Sequence, residues 1–476
     1  MNFNKTKIVA TVGPACNTRE KLLELIVAGV DVFRLNFSHG THEQHLEVIK
    51  HIRNLNQEFN FNIAILQDLQ GPKIRLRDLE NGGIEVKAGE MVVIAYEEGI
   101  GTRERLTSTY DLAQDVRAGE QILIDDGNIE LRAIKIVGRE VHAEVVYGGL
   151  LKPRKGINLP DTIVSAASLT KKDREDLVFG LENEVDWVAM SFVRTAVDIL
   201  ELRKLINESG KHSRIVAKIE TPFAIKNIDE IIAATDGLMV ARGDLGVEIP
   251  MEEVPLIQKT LVQKCNAASK PVIIATQMME SMIKNPRPTR AETNDVANAV
   301  IDGADALMLS AETASGTYPI QTVQSMVKTI GHIERYQKSI YNKKYMLDEK
   351  SPNYVSNALI AQACKLARNT HAKAIIGMSR TGYTAFEIAK YRPESNIFVF
   401  TRTRKLLCTL NLVWGVRGFV YDRIVSAEET FTDIEKILVD TGYLQKGEVY
   451  VSTRGSVPGS DERSGINILK ISKVER

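Results

Sequence analysis

Cysteine is scarce in this chain. Four cysteines, Cys16, Cys265, Cys364 and Cys408, are spread over 476 residues with no C-x-x-C pair, which argues against a zinc ribbon or a disulfide framework and favours a reducing compartment. Apolar runs long enough to cross a membrane are missing, and the N-terminal "MNFNKTKIVATVGP" enters a strand without the apolar core of a signal peptide; no membrane association is expected and the chain reads as cytoplasmic. Neither sign of charge is in excess. Lys+Arg and Asp+Glu stand at 61 each, which removes any global electrostatic case for nucleic acid or a membrane surface as partner. The patterns G-x-x-x-x-G-K-[ST], G-x-G-x-x-G and G-x-S-x-G are absent. "HEQH" at 42–45 lacks the H-E-x-x-H spacing and reads as solvated side chains on a surface helix.

What is present is an ordinary globular composition, 44% hydrophobic and 26% charged, in a chain too long for one core, so two or three domains are expected. Eight short β-branched runs, "KIVATVG", "DVFRLNFS", "NIAILQD", "DWVAMSF", "RIVAKIE", "DGLMVARGD", "PVIIATQM" and "DALMLSAET", alternate with helical stretches such as "TREKLLELIVAG" and "EEVPLIQKTLVQKCNAAS". Strands apolar on both faces, each followed by a helix, predict a parallel sheet, and eight such units close a (β/α)8 TIM barrel. Between the third and fourth units the pattern changes to short alternating runs with turn dipeptides, and "VKAGE" recurs as "VRAGE". This insert is expected to be a small β-barrel on a βα loop, placed to act as a lid. After the polar stretch "ERYQKSIYNKKYMLDEKSPN" the alternation resumes through "AKAIIGMS", "NIFVFT", "VRGFVY", "EVYVST" and "INILKIS", which predicts an open α/β domain concerned with regulation or assembly. The expected boundaries are 1–69 with 167–340 for the barrel, 70–166 for the lid and 341–476 for the C-terminal domain.

In such a barrel the C-terminal strand ends face the active site. Here they are unusually polar: Arg34, Asn36 and Ser38 on strand two, Asp68 on strand three with Lys73 and Arg75 beyond it, Lys218 and Glu220 on strand five, Arg242 and Asp244 on strand six, Thr276 on strand seven, Ser310 and Glu312 on strand eight. Taken alone, Lys218 and Glu220 read equally well as a structural ion pair, Asp244 in "ARGDLG" as a helix-capping aspartate, and Thr276 as a satisfied β-branched residue. Their shared location changes the reading. Glu220 and Asp244 can supply two carboxylates to an open Mg2+ or Mn2+ site, with Lys218 beside it for a phosphoryl oxygen.

The stretches "TVGPA", "RLNFSHG", "DLQGPKIR", "ILIDDG", "AKIET", "MVARGDLGVEIP", "ATQMMESM", "PTRAE" and "DALMLSAET" closely resemble those of the pyruvate kinase family, over essentially the whole chain. The resemblance implies phosphoryl transfer from phosphoenolpyruvate to ADP, giving pyruvate and ATP, with Mg2+ and a homotetramer. It implies that Glu220 and Asp244 ligate the divalent ion, that Lys218 and Arg34 meet the phosphoryl group, and that the backbone at Gly243 and Asp244 holds the substrate carboxylate. It implies too that Thr276 belongs to the route by which the enolate takes its proton, that Arg75 and Lys172 lie near the nucleotide and phosphoryl groups, and that Pro14 and His39 edge the nucleotide pocket.

Two departures from the family pattern matter. Many members hold a monovalent cation at positions matching Asn36, Ser38, Asp68 and the next residue, with a glutamate five places past the aspartate; here the last two are Leu69 and Lys73. A tethered ammonium near that place makes added potassium repulsive, so activity independent of potassium is expected. In the C-terminal domain the family's effector turn reads "SRTGYTA". Ser379, Arg380, Thr381, Gly382 and Thr384 form a plausible phosphate nest, but Tyr383 stands where a basic residue is common, and Ser456 and Val457 where relatives responsive to fructose 1,6-bisphosphate have an aromatic and a basic residue. A phosphorylated effector with a single phosphate, a sugar monophosphate or AMP, is expected. Two other classes compete: a barrel lyase or aldolase with Lys218 as Schiff base, which requires a lysine of lowered pKa, and a non-catalytic phosphometabolite sensor.

Overall fold

The structure is a computed structural model that describes residues 3–455 and 466–475. Eight parallel strands form the barrel: β1 (Lys7–Thr11), β2 (Val32–Asn36) and β3 (Ala64–Asp68), then, after the insert, β12 (Trp187–Met190), β13 (Arg214–Ile219), β14 (Gly237–Ala241), β15 (Val272–Ala275) and β16 (Ala306–Leu309). The hydrogen-bonded ring closes in the order β1-β16-β15-β14-β13-β12-β3-β2. All eight expected runs are strands of this ring. Their unbroken apolar character has a direct cause: Val9 points into the barrel interior with Val32, Leu66, Val216 and Met239, while its neighbours Ile8 and Ala10 pack outward against the helices with Phe33, Ile65 and Ala217. Both faces are buried, so hydrophobicity does not alternate.

The helices obey the local signals. In Arg19–Ala28, Thr18 accepts a hydrogen bond from the Lys21 amide at the N-cap and Gly29 ends the helix at φ 126°; thirteen-residue Arg290–Asp302 begins on a reciprocal Thr289/Glu292 cap and ends on Gly303 at φ 103°, which supplies the left-handed turn without a Cβ penalty.

The insert contributes β4 (Ile84–Val86), β5 (Met91–Ala95), β6 (Arg105–Thr107), β7 (Gln121–Ile124), β8 (Ile129–Val137), β9 (Glu140–Tyr147), β10 (Gly149–Leu151) and β11 (Ile157–Asn158). The insert is all-β as expected, its hydrogen-bonded ladder a six-stranded sheet, β11-β7-β8-β9-β5-β6, with a two-stranded ribbon β10-β4 beside it. One apolar core including Leu76, Ile94, Leu106, Leu131, Val141 and Leu151 joins them. The recurring "AGE" is a structural repeat. Gly89 and Gly119 both take left-handed φ values, 85° and 94°, and Glu90 and Glu120 turn back to accept from the amides of Lys87 (3.2 Å) and Arg117 (2.8 Å).

The C-terminal domain is an open sheet of β17 (Ala374–Met378), β18 (Asn396–Thr401), β19 (Val416–Val420), β20 (Val449–Gly455) and β21 (Ile466–Lys473), ordered β19-β18-β17-β20-β21. It is parallel except for the β20–β21 pair. The first part of the polar stretch before it is packed as a seam: Glu334 accepts from the amides of Lys5 (2.8 Å) and Thr6 (2.7 Å), and Ile340 and Tyr341 are buried. The bottom of the barrel rests on this domain. Trp187 Nε1 donates to Thr409 O at 3.1 Å, and buried Arg392 forks onto both oxygens of Asp305, at 3.0 and 2.9 Å. Among the described residues no helix is long and apolar enough to cross a membrane.

Candidate active site

Val216 faces the barrel interior, so the period-two geometry of a strand places Lys218, and Glu220 just past the strand end, on the same inner face nearer the mouth. The same alternation brings Asp68 inward after Ala64 and Leu66, and Arg34 after Val32. Registers Arg34↔Leu66 and Asn36↔Asp68 set Arg34 and Asp68 side by side across β2 and β3. Three inward strands thus deliver one charge cluster.

The cluster is tightly paired. Lys218 Nζ lies 3.0 Å from Glu220 Oε1 and 3.3 Å from Asp68 Oδ1, and donates to Ser191 Oγ at 2.7 Å. Arg34 Nε donates to Asp68 Oδ2 at 2.6 Å and its terminal nitrogen to Thr11 Oγ1 at 3.1 Å. Glu220 Oε2 accepts the Phe192 amide at 2.7 Å, and Phe192 is held at φ 53°, an uncommon conformation for a bulky residue that aims its N–H into the site.

Charge states follow from this packing. Burial alone lowers a lysine, but Asp68 and Glu220 outweigh it and hold the Lys218 ammonium above its ordinary value. Burial alone raises Asp68, but Lys218 and Arg34 hold its carboxyl below the usual range. Glu220 is pushed up by burial, with the negative charge of Asp244 adding to the push and Lys218 opposing it. A lysine kept cationic is the wrong starting point for Schiff-base chemistry, which weakens the lyase and aldolase reading.

Asp244 sits in the first turn of the helix Arg242–Glu248, whose N-cap position is Ala241, so the reading of Asp244 in isolation as a helix cap does not hold. Its Oδ1 lies 3.1 Å from Lys73 Nζ. The Lys73 ammonium is thus ion-paired to Asp244 in the helix after β14, and the partners of Asp68 are Arg34 and Lys218. Asn36 Oδ1 accepts the Ser38 amide at 3.2 Å, and Leu69 is buried.

Thr276 is no ordinary buried threonine. It is held at φ 69°, strained for a β-branched side chain, and its Oγ1 accepts the Gly243 amide at 2.7 Å while donating to Ala275 O at 2.6 Å. Arg242 secures the arrangement by donating to Thr276 O at 2.7 Å and pairing with Asp295. The Gly243 N–H and the Thr276 hydroxyl are therefore one unit.

Glu312 folds back onto the amides of Ser310 and Met279, a structural role, and leaves Ser310 Oγ buried without a hydrogen-bond partner. Lys172 Nζ donates to Phe37 O at 2.7 Å and Asp176 Oδ2 at 2.5 Å. Arg75 donates to Arg154 O at 3.2 Å in the lid. Pro14 and His39 are exposed in the loops after β1 and β2. Among the described residues, none of these four is hydrogen-bonded or ion-paired to the Lys218 cluster. The "HEQH" histidines are more engaged than solvated side chains: His42 reaches Asp176 Oδ1 at 2.7 Å and stacks on Phe179, and His45 stacks on Phe37 at 4.1 Å.

Sequence reasoning missed Ser191, Phe192, Thr11 and Glu248. Ser191 and Phe192 follow β12 in "MSF" and had a signal in their place at a strand end; Glu248 had none.

The donor set suits a hard divalent cation. Two carboxylates, Glu220 and Asp244, oppose each other's charge at the mouth, and a cation between them would relieve both; two protein carboxylates leave the rest of such a shell to water and substrate oxygens.

Comparisons with known proteins bear on this geometry. The barrel-domain model of the pyruvate kinase family matches residues 3–323, and its α/β-domain model residues 357–472. The chain is 44% identical to a pyruvate kinase of Bacillus licheniformis over 476 residues, 98% of this chain and 80% of that one. It is 43% identical to one of Geobacillus stearothermophilus over 473 residues, with the same shares covered. The fold superposes on a pyruvate kinase from Cryptosporidium parvum with a TM-score of 0.90 at 35% identity, covering 99% of this chain and 96% of the other.

Proposed function

Because the chain belongs to the pyruvate kinase family, we propose that it transfers the phosphoryl group of phosphoenolpyruvate to ADP, giving pyruvate and ATP, at the barrel mouth between Lys218 and Asp244. The observation that carries this reading is the convergence of Lys218, Arg34, Asp68 and Glu220 on one inner face. Phosphoryl transfer asks little covalent chemistry of a protein and much fixed positive charge where negative charge develops.

In this account the Lys218 ammonium and the Arg34 guanidinium face the phosphoryl oxygens while the bond to the enolate oxygen breaks and the bond to the terminal ADP oxygen forms. Asp68, ionised at neutral pH because both cations hold it so, keeps the two in register. The enolate then takes a proton at carbon three by the route that includes Thr276. The Gly243 N–H, now turned to Thr276 Oγ1, and the adjoining Asp244 amide receive the substrate carboxylate. Arg75, Lys172, Pro14 and His39 serve the nucleotide side, with Arg75 carried on the lid strap.

The family generally depends on a divalent metal, and Glu220 and Asp244 are the residues that would hold Mg2+ or Mn2+ here. Such an ion supplies Lewis-acid stabilisation of oxygen charge when bound. Potassium independence is proposed on two grounds: Leu69 brings no side-chain oxygen, and Lys73 brings a tethered positive charge into the mouth.

For regulation we propose a single-phosphate effector at the turn before the helix Tyr383–Lys390. Gly382 there takes φ 88°, its amide donates to Ser379 Oγ at 2.9 Å, and Arg380 and Thr381 are exposed. Tyr383 is occupied with Asn357 at 2.6 Å. Arg214, at the opposite end of the strand that carries Lys218, donates to Thr381 O at 3.0 Å, which gives the turn a path to the site. Ser456 and Val457 lie outside the described residues. A cytoplasmic homotetramer completes the proposal. Coupled turnover with lactate dehydrogenase, given phosphoenolpyruvate, ADP and Mg2+, tests the function: steady pyruvate formation supports it, and none in the presence of folded protein overturns it.

A further inference from the structure

The lid joins the barrel by two straps, and both are fastened to the same short helix, Arg242–Glu248. The entering strap brings Lys73 to Asp244, 3.1 Å. At the start of the leaving strap, Asn158 Nδ2 donates to Glu248 Oε1 at 2.7 Å. Asp244 and Glu248 stand four residues apart, one turn of helix. The lid's tight turn is close to the same element, since a Cβ built on Gly127 would lie 3.8 Å from Val247 Cγ1. A cavity of about 60 Å3 opens beside the straps, lined among others by Lys73, Asn158, Leu159, Phe192 and Glu248, so the straps have room to shift if their anchors let go.

Glu248 is a costly choice for a simple structural bond. Burial pushes its carboxyl up to about 7, and the charges of Asp244 and Glu220 add to the push. A residue with this environment that bridges the lid's exit to the turn bearing Asp244 has a positional role that packing alone does not require. We propose that Glu248 is a positioning residue for the phosphoryl transfer: through Asn158 it fixes the leaving strap one helical turn from Asp244, so that lid placement and the carboxylate of the mouth share one support. The inference rests on the pyruvate kinase reading given above.

The test compares wild type, Glu248→Ala, Asn158→Ala, the double variant and Glu248→Gln. Three readouts are taken: hydrogen–deuterium exchange over residues 157–164, kcat and KM for phosphoenolpyruvate, and Mn2+ affinity of the substrate-free protein by electron paramagnetic resonance. The expected result for Glu248→Ala is exchange at the strap faster by roughly tenfold and a KM raised roughly fivefold, with Mn2+ affinity within about twofold of wild type. The double variant should be no worse than Glu248→Ala, since both single changes break one bond. Glu248→Gln, which keeps an acceptor oxygen, should restore strap protection and KM. Wild-type exchange in Glu248→Ala, multiplicative effects in the double variant, or Mn2+ affinity falling in step with KM would each overturn the proposal. A wild-type chain without phosphoryl transfer would overturn the functional reading instead, and strap exchange would still decide whether Glu248 is the anchor.

Discussion

Lys73 of the lid's entering strap is ion-paired to Asp244 of the barrel mouth, 3.1 Å apart. A positive charge is thus built into the site where relatives with a glutamate have none. Initial rates in tetramethylammonium buffer should change by less than about twofold on adding KCl, whereas Lys73→Glu should acquire KCl activation, because a repulsive ammonium is exchanged for an attractive carboxylate. Strong KCl activation of the wild type would refute the potassium reading.

Lys218 is the group on which the charge cluster turns. Lys218→Met should lower kcat by on the order of 10²- to 10³-fold, the cost of removing one preorganised partner of developing charge. It should also destabilise the fold by about 3 kcal/mol, because Glu220 loses its cation while buried; Asp68 keeps Arg34 at 2.6 Å. Steady-state kinetics and denaturant unfolding of the same preparation check both.

Glu248 gives stability a pH signature of known sign. Its folded carboxyl is raised to about 7 by burial from an ordinary 4.5, so the folded state binds the extra proton, and stability falls as pH rises through the window from about 4.5 to 7, by about 3 kcal/mol. Metal-free wild type should therefore lose Tm relative to Glu248→Gln between pH 5 and 7, with no further relative change above about pH 8. Parallel Tm curves for the two proteins would show that Glu248 titrates normally.

The barrel and the C-terminal sheet are locked by Arg392 and Asp305, both nearly fully buried and joined by two bonds of 3.0 and 2.9 Å. Arg392→Ala should cost about 3 to 5 kcal/mol, since it strands a buried carboxylate. Differential scanning calorimetry measures this, and a loss under about 1 kcal/mol would mean the seam is held by its apolar contacts alone.

The barrel was legible because every strand is buried on two faces, and continuous apolar runs of that length followed by capped helices have few other solutions. Arg34, Asp68, Lys218 and Glu220 were legible for the same geometric reason: polar residues that break an inward-facing apolar register at the C-terminal end have only the mouth to point into. What could not be read was pairing across elements. Lys73 is five residues past Asp68 in sequence, yet its partner is Asp244, because the chain leaves the barrel there and crosses the mouth as a lid strap. The Gly243–Thr276 unit needed the left-handed backbone at Thr276, which β-branching argues against. Glu248 carries no local signal, because its bond to Asn158 depends on the return path of an insert whose closure no local pattern sets. The histidines at 42 and 45 were misjudged because stacking on Phe179 and Phe37 depends on a neighbouring helix and strand, not on spacing.

The central claim is that Glu220 and Asp244 form one cation site beside Lys218. Mn2+ titration of the substrate-free protein by electron paramagnetic resonance tests it most directly. One Mn2+ per chain is predicted for the wild type, with affinity reduced at least about tenfold in both Glu220→Gln and Asp244→Asn. Wild-type Mn2+ binding in either variant would contradict it.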